Sequence, residues 1–159
     1  MQSDFEGRLA VGSSRAVVMG ITGNWAFAAG TVLLALRRHN PALNADIIVF
    51  CDGSLPTKDV HILQELGAQL VPFTPVDAAL TAEALSVFSP LCLAKFHCFD
   101  LLRHYESVVW LDSDILIQDS LEDLFTCGPL GLALEDPEFS DPPGAKPAQI
   151  NLHGPVQGF

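Results

Sequence analysis

Positive charge is scarce in this chain of 159 residues. Lys and Arg total 8 against 19 Asp and Glu, a net charge of −11. That balance argues against nucleic acid and against an anionic membrane surface as partners. Long apolar runs are missing too. The longest, Trp25 to Leu36, is too short to span a bilayer and contains Gly30. The first residues, Met1 to Ser14, carry Asp4 and Glu6 without an apolar core, so they do not read as a signal peptide. These absences lead us to expect a cytoplasmic protein with no transmembrane segment. The four cysteines, Cys51, Cys92, Cys98 and Cys127, contain no Cys-x-x-Cys pair. Cys92, His97 and Cys98 match no common zinc spacing, and three of the four cysteines lie in stretches that read as buried strand or helix. Reduced thiols in a reducing compartment are the simpler account. A Gly-rich dinucleotide fingerprint and a P-loop are absent; Gly20-Ile21-Thr22-Gly23 lacks the required spacing. None of the five His residues stands at a spacing that suggests a catalytic partner, and no Ser/His/Asp motif occurs. There is no internal repeat.

What is present is an apolar fraction of 49% with 17% charged residues, the composition of a globular chain. The length suits one domain with its own core. Apolar strands alternate with helices. Ala16–Ile21 reads as a first buried strand, and Thr22-Gly23-Asn24 as a turn in which Thr22 or Asn24 caps a helix over Trp25–Arg38. The apolar face of that helix holds Phe27, Val32, Leu33 and Leu36, and Asn40-Pro41 stops it. Asp46–Cys51 is a second strand. Thr57 caps a helix reaching Leu66, with Gly67 at its end, and Gln69–Phe73 is a third strand. Thr74–Phe88 reads as a short helix or ordered loop. Ser89-Pro90 opens a helix running to about His104, with Leu91, Ala94, Cys98, Leu101 and Leu102 buried. A strand over Val108–Ile117, a capped helical turn over Asp119–Phe125 and a last strand over Gly131–Leu134 follow. This alternation predicts an α/β domain with a mainly parallel sheet over residues 16–136. Residues 1–15 read as a flexible extension, and 137–159 as a Pro/Gly-rich tail.

Within Val108–Ile117, Asp112 and Asp114 interrupt an apolar run. An ionised carboxylate is costly to bury without a partner, so both should sit where the strand meets solvent or a cation. At strand spacing, residues i and i+2 point to the same side. Two carboxylates so placed suit Mg²⁺ or Mn²⁺ shared with a phosphate-bearing substrate. A polar turn at a strand end explains the same residues. The net charge favours the first reading, because an acidic chain that binds a diphosphate needs a cation at the contact. In parallel α/β sheets ligands bind beyond the carboxyl ends of the strands, where Thr22-Gly23-Asn24 and the Asp pair both fall.

Three stretches together resemble glycosyltransferase family 8, the family of glycogenin and of bacterial lipopolysaccharide galactosyl- and glucosyltransferases. They are Ile21-Thr22-Gly23-Asn24-Trp25-Ala26-Phe27-Ala28-Ala29-Gly30, then Leu93-Ala94-Lys95-Phe96-His97-Cys98-Phe99, then Val109-Trp110-Leu111-Asp112-Ser113-Asp114-Ile115-Leu116-Ile117 with Leu121-Glu122-Asp123-Leu124-Phe125 after it. The likeness covers roughly residues 16 to 159. It implies a Rossmann-like nucleotide-diphospho-sugar transferase fold of the GT-A type. It also implies a uridine-diphosphate hexose as donor, Mn²⁺ or Mg²⁺, and transfer with retention to a sugar, lipid or protein acceptor. Carried over by position, Ile21, Thr22, Asn24 and Phe27 line the nucleoside pocket, and the Ser113 backbone lies near the ribose. Asp112 and Asp114 hold the metal, and Lys95 approaches the donor's phosphate or sugar. Apart from the resemblance, Asp136 stands at the end of the last expected strand, where it could face the sugar or be an ordinary loop Asp. Trp25 stands where the family usually has Asp, and Phe27 where it usually has Tyr. The resemblance is to the family's N-terminal, donor-binding half, so weak activity of the chain alone is expected; a homo-oligomer is compatible with all of this.

Two other readings compete. Haloacid dehalogenase-type phosphohydrolases also use an Asp-x-Asp strand, but on their first strand and with Thr or Val two residues beyond it. Here Leu116 holds that place and several strands precede it. A non-catalytic nucleotide-binding remnant of a transferase is the other.

Overall fold

The computed structural model describes residues 9–74, 90–128 and 131. The chain divides into two units, residues 1–125 and 126–159, and every element named here belongs to the first. Among the described residues four strands form one sheet: β1 (Arg15–Ile21), β2 (Asp46–Cys51), β3 (Ala68–Pro72) and β4 (Ser107–Trp110). Their order is β3-β2-β1-β4 and every pairing is parallel. The register sets Met19 against Val49 in β2 and Val18 against Trp110 in β4. These strands are near-continuous apolar runs because a parallel sheet is covered on both faces.

The covering follows the two-residue alternation of the strands. On one face, Val17, Met19 and Ile21 of β1 meet Ala29, Val32, Leu33 and Leu36 of α1 (Ala26–His39) and Leu63 of α2 (Thr57–Glu65). On the other, Val18, Ile48 and Phe50 meet Leu91, Ala94 and Leu101. The last three come from a 3₁₀ segment, Pro90–Phe96, and a short α3 (His97–Leu101). This is the mainly parallel α/β architecture that the sequence predicts.

Several local expectations are corrected. The continuous helix over 90–104 is instead 3₁₀ and then one short α-helix. Leu91 and Ala94, its first two buried positions, are three residues apart, the spacing at which 3₁₀ side chains eclipse. Leu102, expected to be buried, is 50% exposed. Neither Thr22 nor Asn24 caps α1 with its side chain: Thr22 precedes a 3₁₀ turn, Gly23–Trp25, and its carbonyl accepts from Trp25 N at 2.9 Å. Pro56 takes the cap position of α2, and Thr57 begins the helix. Gly67 does end it, at φ +83°. Phe27 points away from the core and is 72% exposed. Cys92, in a stretch expected to be buried, is exposed. The expected short helix or ordered loop over 74–88 and last strand over 131–134 lie almost wholly outside the described residues. Among those residues no helix is long and apolar enough to cross a membrane.

β4 is also shorter than its apolar run. Its ladder with β1 stops at the Val18–Trp110 pair, and Leu111 N donates to Val18 O at 2.8 Å as the chains part. β1 continues to Ile21 paired only with β2. Beyond Asp114, Ile115 and Leu116 face solvent, and Ile117 returns to the core at 4% exposure. Asn40, a buried polar residue at the end of α1, fixes this return. Its amide donates to the Asp119 carbonyl at 3.1 Å and accepts from Leu121 N at 2.6 Å.

Candidate functional site

The strand order reverses between β1 and β4, so the carboxyl ends of these strands form the crevice where open α/β sheets bind ligands. A cavity of about 290 Å³ lies there, lined by Gly20, Ile21 and Thr22 from β1 and its turn and by Trp110, Asp112, Ser113 and Asp114 from β4 and beyond. Leu91, Cys92 and Lys95 of the 3₁₀ segment and Trp25 complete the lining. The cavity exists because β4 leaves β1 three residues before β1 ends.

Six of the residues singled out from sequence therefore come together: Ile21, Thr22, Lys95, Asp112, Ser113 and Asp114. Asn24 and Phe27 do not join them. They line a second cavity of about 470 Å³ between α1 and α2, with Leu34, Lys58 and Ile62. Asp136 lies outside the described residues. Trp25, which the sequence marked only as standing where the family usually has Asp, is an aromatic residue on the first cavity, as is Trp110. The Trp25 ring is 47% exposed and stacks on Phe27, with centroids 6.0 Å apart and planes at 18°. The available signal was an aromatic directly after a turn at the end of β1.

Both carboxylates are exposed. Trp110 Nε1 donates to Asp112 Oδ1 at 2.8 Å, while Asp114 has no hydrogen-bond or ion-pair partner among the described residues. Lys95, the single cation among the described lining residues, has no ion pair among them either. The turn on the opposite wall is set by the loop after β2. Gly23 N donates to Ser54 Oγ at 2.8 Å, and that hydroxyl in turn donates to Asp52. A Cβ on Gly23 would sit 2.3 Å from the Ser54 carbonyl oxygen, so the close approach requires glycine.

Two thiols that do not line the cavity, Cys98 and Cys51, are held in the unreactive protonated form. Burial pushes the Cys98 thiol up to about 11, against a smaller opposing pull from its backbone hydrogen bond and the Lys95 charge. Cys51 is raised as well, by burial and then by Asp52. His97 sits against the Phe50 and Phe73 rings, with Nδ1 2.9 Å from Asp100 Oδ2.

A divalent cation fits the donor set. Among the described residues no third His, Cys, Asp or Glu joins a three-ligand cluster. Mg²⁺, however, is commonly held by one or two carboxylates, the rest of its shell being water and substrate phosphate, and Mn²⁺ suits the same oxygen donors. Asp112 and Asp114 on one open cavity meet that description.

Sheet order, helical layers and crevice define a GT-A glycosyltransferase fold. Two glycosyltransferases are among the solved structures that share it. One is the ligand-free bifunctional glycosyltransferase WbbM, with a TM-score of 0.58 and 24% identity, matched over 77% of this chain and 22% of its own. The other is the galactosyltransferase LgtC, solved with donor and acceptor sugar analogues, with a TM-score of 0.54 and 19% identity over 69% of this chain and 41% of its own. The chain thus spans less than half the length of either. No curated protein matches it at a significant level. Residues 16–131 match the description Glycosyl transferase family 8, and the chain belongs to that family.

Proposed function

We propose that this chain binds a nucleotide-sugar donor, a uridine-diphosphate hexose, in the β1–β4 crevice and serves its retaining transfer to a sugar, lipid or protein acceptor. The observation that carries the reading is the convergence of Asp112, Asp114 and Lys95 on the cavity walled by Thr22 and Trp25. The nucleoside lies against Ile21, Thr22 and the face of Trp25, since exposed aromatic rings stack on bases. Asn24 and Phe27 act from the other side of the turn, Phe27 by backing the Trp25 ring. The Ser113 backbone meets the ribose.

Asp112 and Asp114 would hold Mn²⁺ or Mg²⁺, which when bound supplies Lewis-acid stabilisation to the departing diphosphate. The Lys95 ammonium adds a second positive charge to the same leaving group. This matters in a chain of net charge −11, whose own field repels a diphosphate. Asp136 is proposed to face the sugar.

Calorimetric titration of the full chain with uridine diphosphate, with and without Mn²⁺, tests the reading. Mn²⁺ should strengthen binding several-fold, about tenfold or more, and D112A and D114A should each abolish that gain. Metal-independent binding that neither change weakens would sink it. Mn²⁺-dependent hydrolysis of p-nitrophenyl phosphate, with none of a uridine-diphosphate sugar, would favour a phosphohydrolase instead.

A further inference from the structure

We infer that Trp110 is a positioning residue that fixes the Asp112 carboxylate for its cation. The inference rests on the reading of the crevice given above. Trp110 is the last residue of β4, half-buried, and its ring lies over β1 at Gly20. A Cβ added to Gly20 would stand 3.0 Å from Trp110 Cη2 and 3.4 Å from Leu91 Cγ. Glycine at position 20 therefore leaves the space that the indole and Leu91 fill.

With the ring lodged there, Nε1–H reaches Asp112 Oδ1 at 2.8 Å. Asp112 follows the end of the ladder, on a segment whose neighbouring Ser113 and Asp114 form a turn. Backbone pairing does not hold its side chain, and the indole is its one side-chain partner among the described residues. An indole is a donor with no acceptor capacity, so it selects one carboxylate oxygen and leaves the other for a metal. Partners that orient a metal's ligands in this way typically carry tenfold or more in metal affinity. The bond also places an aromatic surface beside the donor cavity, since Trp110 lines it.

The test uses the full chain and three readouts. In W110F the gain in uridine diphosphate affinity that Mn²⁺ confers, read as the ratio of affinities with and without the metal, should fall about tenfold. In a D112N background, W110F should cost nothing further, because the residue acts through Asp112. By NMR at fixed pH, the Trp110 indole N–H resonance should move in D112N without any ligand present. G20A, which keeps the N–H but crowds the ring, should reproduce the loss of Mn²⁺-dependent affinity if W110F proves too unstable. Equal losses with and without Mn²⁺, or an indole resonance indifferent to D112N, would overturn the inference and leave Trp110 a packing residue. If the unmodified chain binds uridine diphosphate without regard to Mn²⁺, and D112N and D114N change nothing, the crevice reading itself fails and takes this inference with it. Normal Mn²⁺ dependence that W110F leaves intact overturns the inference alone.

Discussion

The buried amide of Asn40 spans the gap between α1 and the segment after the Asp pair, donating to the Asp119 carbonyl and accepting from Leu121 N. Two backbone groups 79 and 81 residues away thus depend on one side chain. Asn40→Ala should lower stability by about 1–3 kcal/mol, because it strands a buried donor and acceptor. Chemical denaturation followed by tryptophan fluorescence measures this; a change below about 0.5 kcal/mol would show that the contact is not held in solution.

Trp25→Ala should weaken uridine diphosphate binding by about 1–3 kcal/mol, the usual worth of an aromatic–base stack. The loss should be the same with and without Mn²⁺, since the ring serves the base and not the phosphate. Phe27→Ala should lose less, because Phe27 only backs the Trp25 ring. Calorimetry that ranked Phe27 above Trp25 would reverse the assignment.

Cys92 lines the crevice and is exposed, and Cys127 is exposed too. Mild alkylation at neutral pH should label both, with Cys98 slower because its thiol is held up to about 11. Uridine diphosphate with Mn²⁺ should protect Cys92 and leave Cys127 reactive. Peptide mass spectrometry reads the outcome, and equal protection of the two would argue against ligand in the crevice.

Alkaline pH should destabilise the fold through Cys98. In the unfolded chain this thiol ionises near 9.0, and in the folded chain near 11. Between those values the unfolded state binds fewer protons, so stability is complete below about 9.0 and declines as pH rises toward 11. Tyr105 and Cys51 are raised as well, Tyr105 by burial and then by its hydrogen bond to Asp46, so they add to the slope. Cys98→Ala should make the fall in thermal midpoint shallower over this range; an unchanged slope would mean that the thiol is not desolvated.

Much of the sheet was legible in sequence because each strand is a short apolar run closed by turn residues, and burial on both faces leaves such runs few alternatives. Strand β2 was read with its observed limits, and β1 within one residue. The convergence of the Asp pair with Thr22 was legible for the same reason, since parallel strands send their carboxyl ends to one edge, whereas Lys95, on the 3₁₀ segment, was expected there only from the family resemblance. What escaped was set by distant partners. The end of β4 is where it parts from β1 at Val18, three residues before β1 itself ends, and not where its apolar residues run out at Ile117. The glycine at position 23 answers to the Ser54 carbonyl, thirty-one residues away. Trp25 and Phe27 are two residues apart in sequence, but the 3₁₀ turn before α1 sends them to different cavities.

The early parting of β4 from β1 makes the reach of the Asp pair a matter of chain length. Its sheet-side tether is Leu111, bonded to Val18, and its far tether is Asn40. Between them the link is free of the ladder, so one inserted residue would add up to about 3.3 Å of chain without disturbing any strand. A fold arranged this way can change how far the two carboxylates stand from the Thr22 turn by insertion or deletion in a single loop, while the strands of its sheet stay as they are.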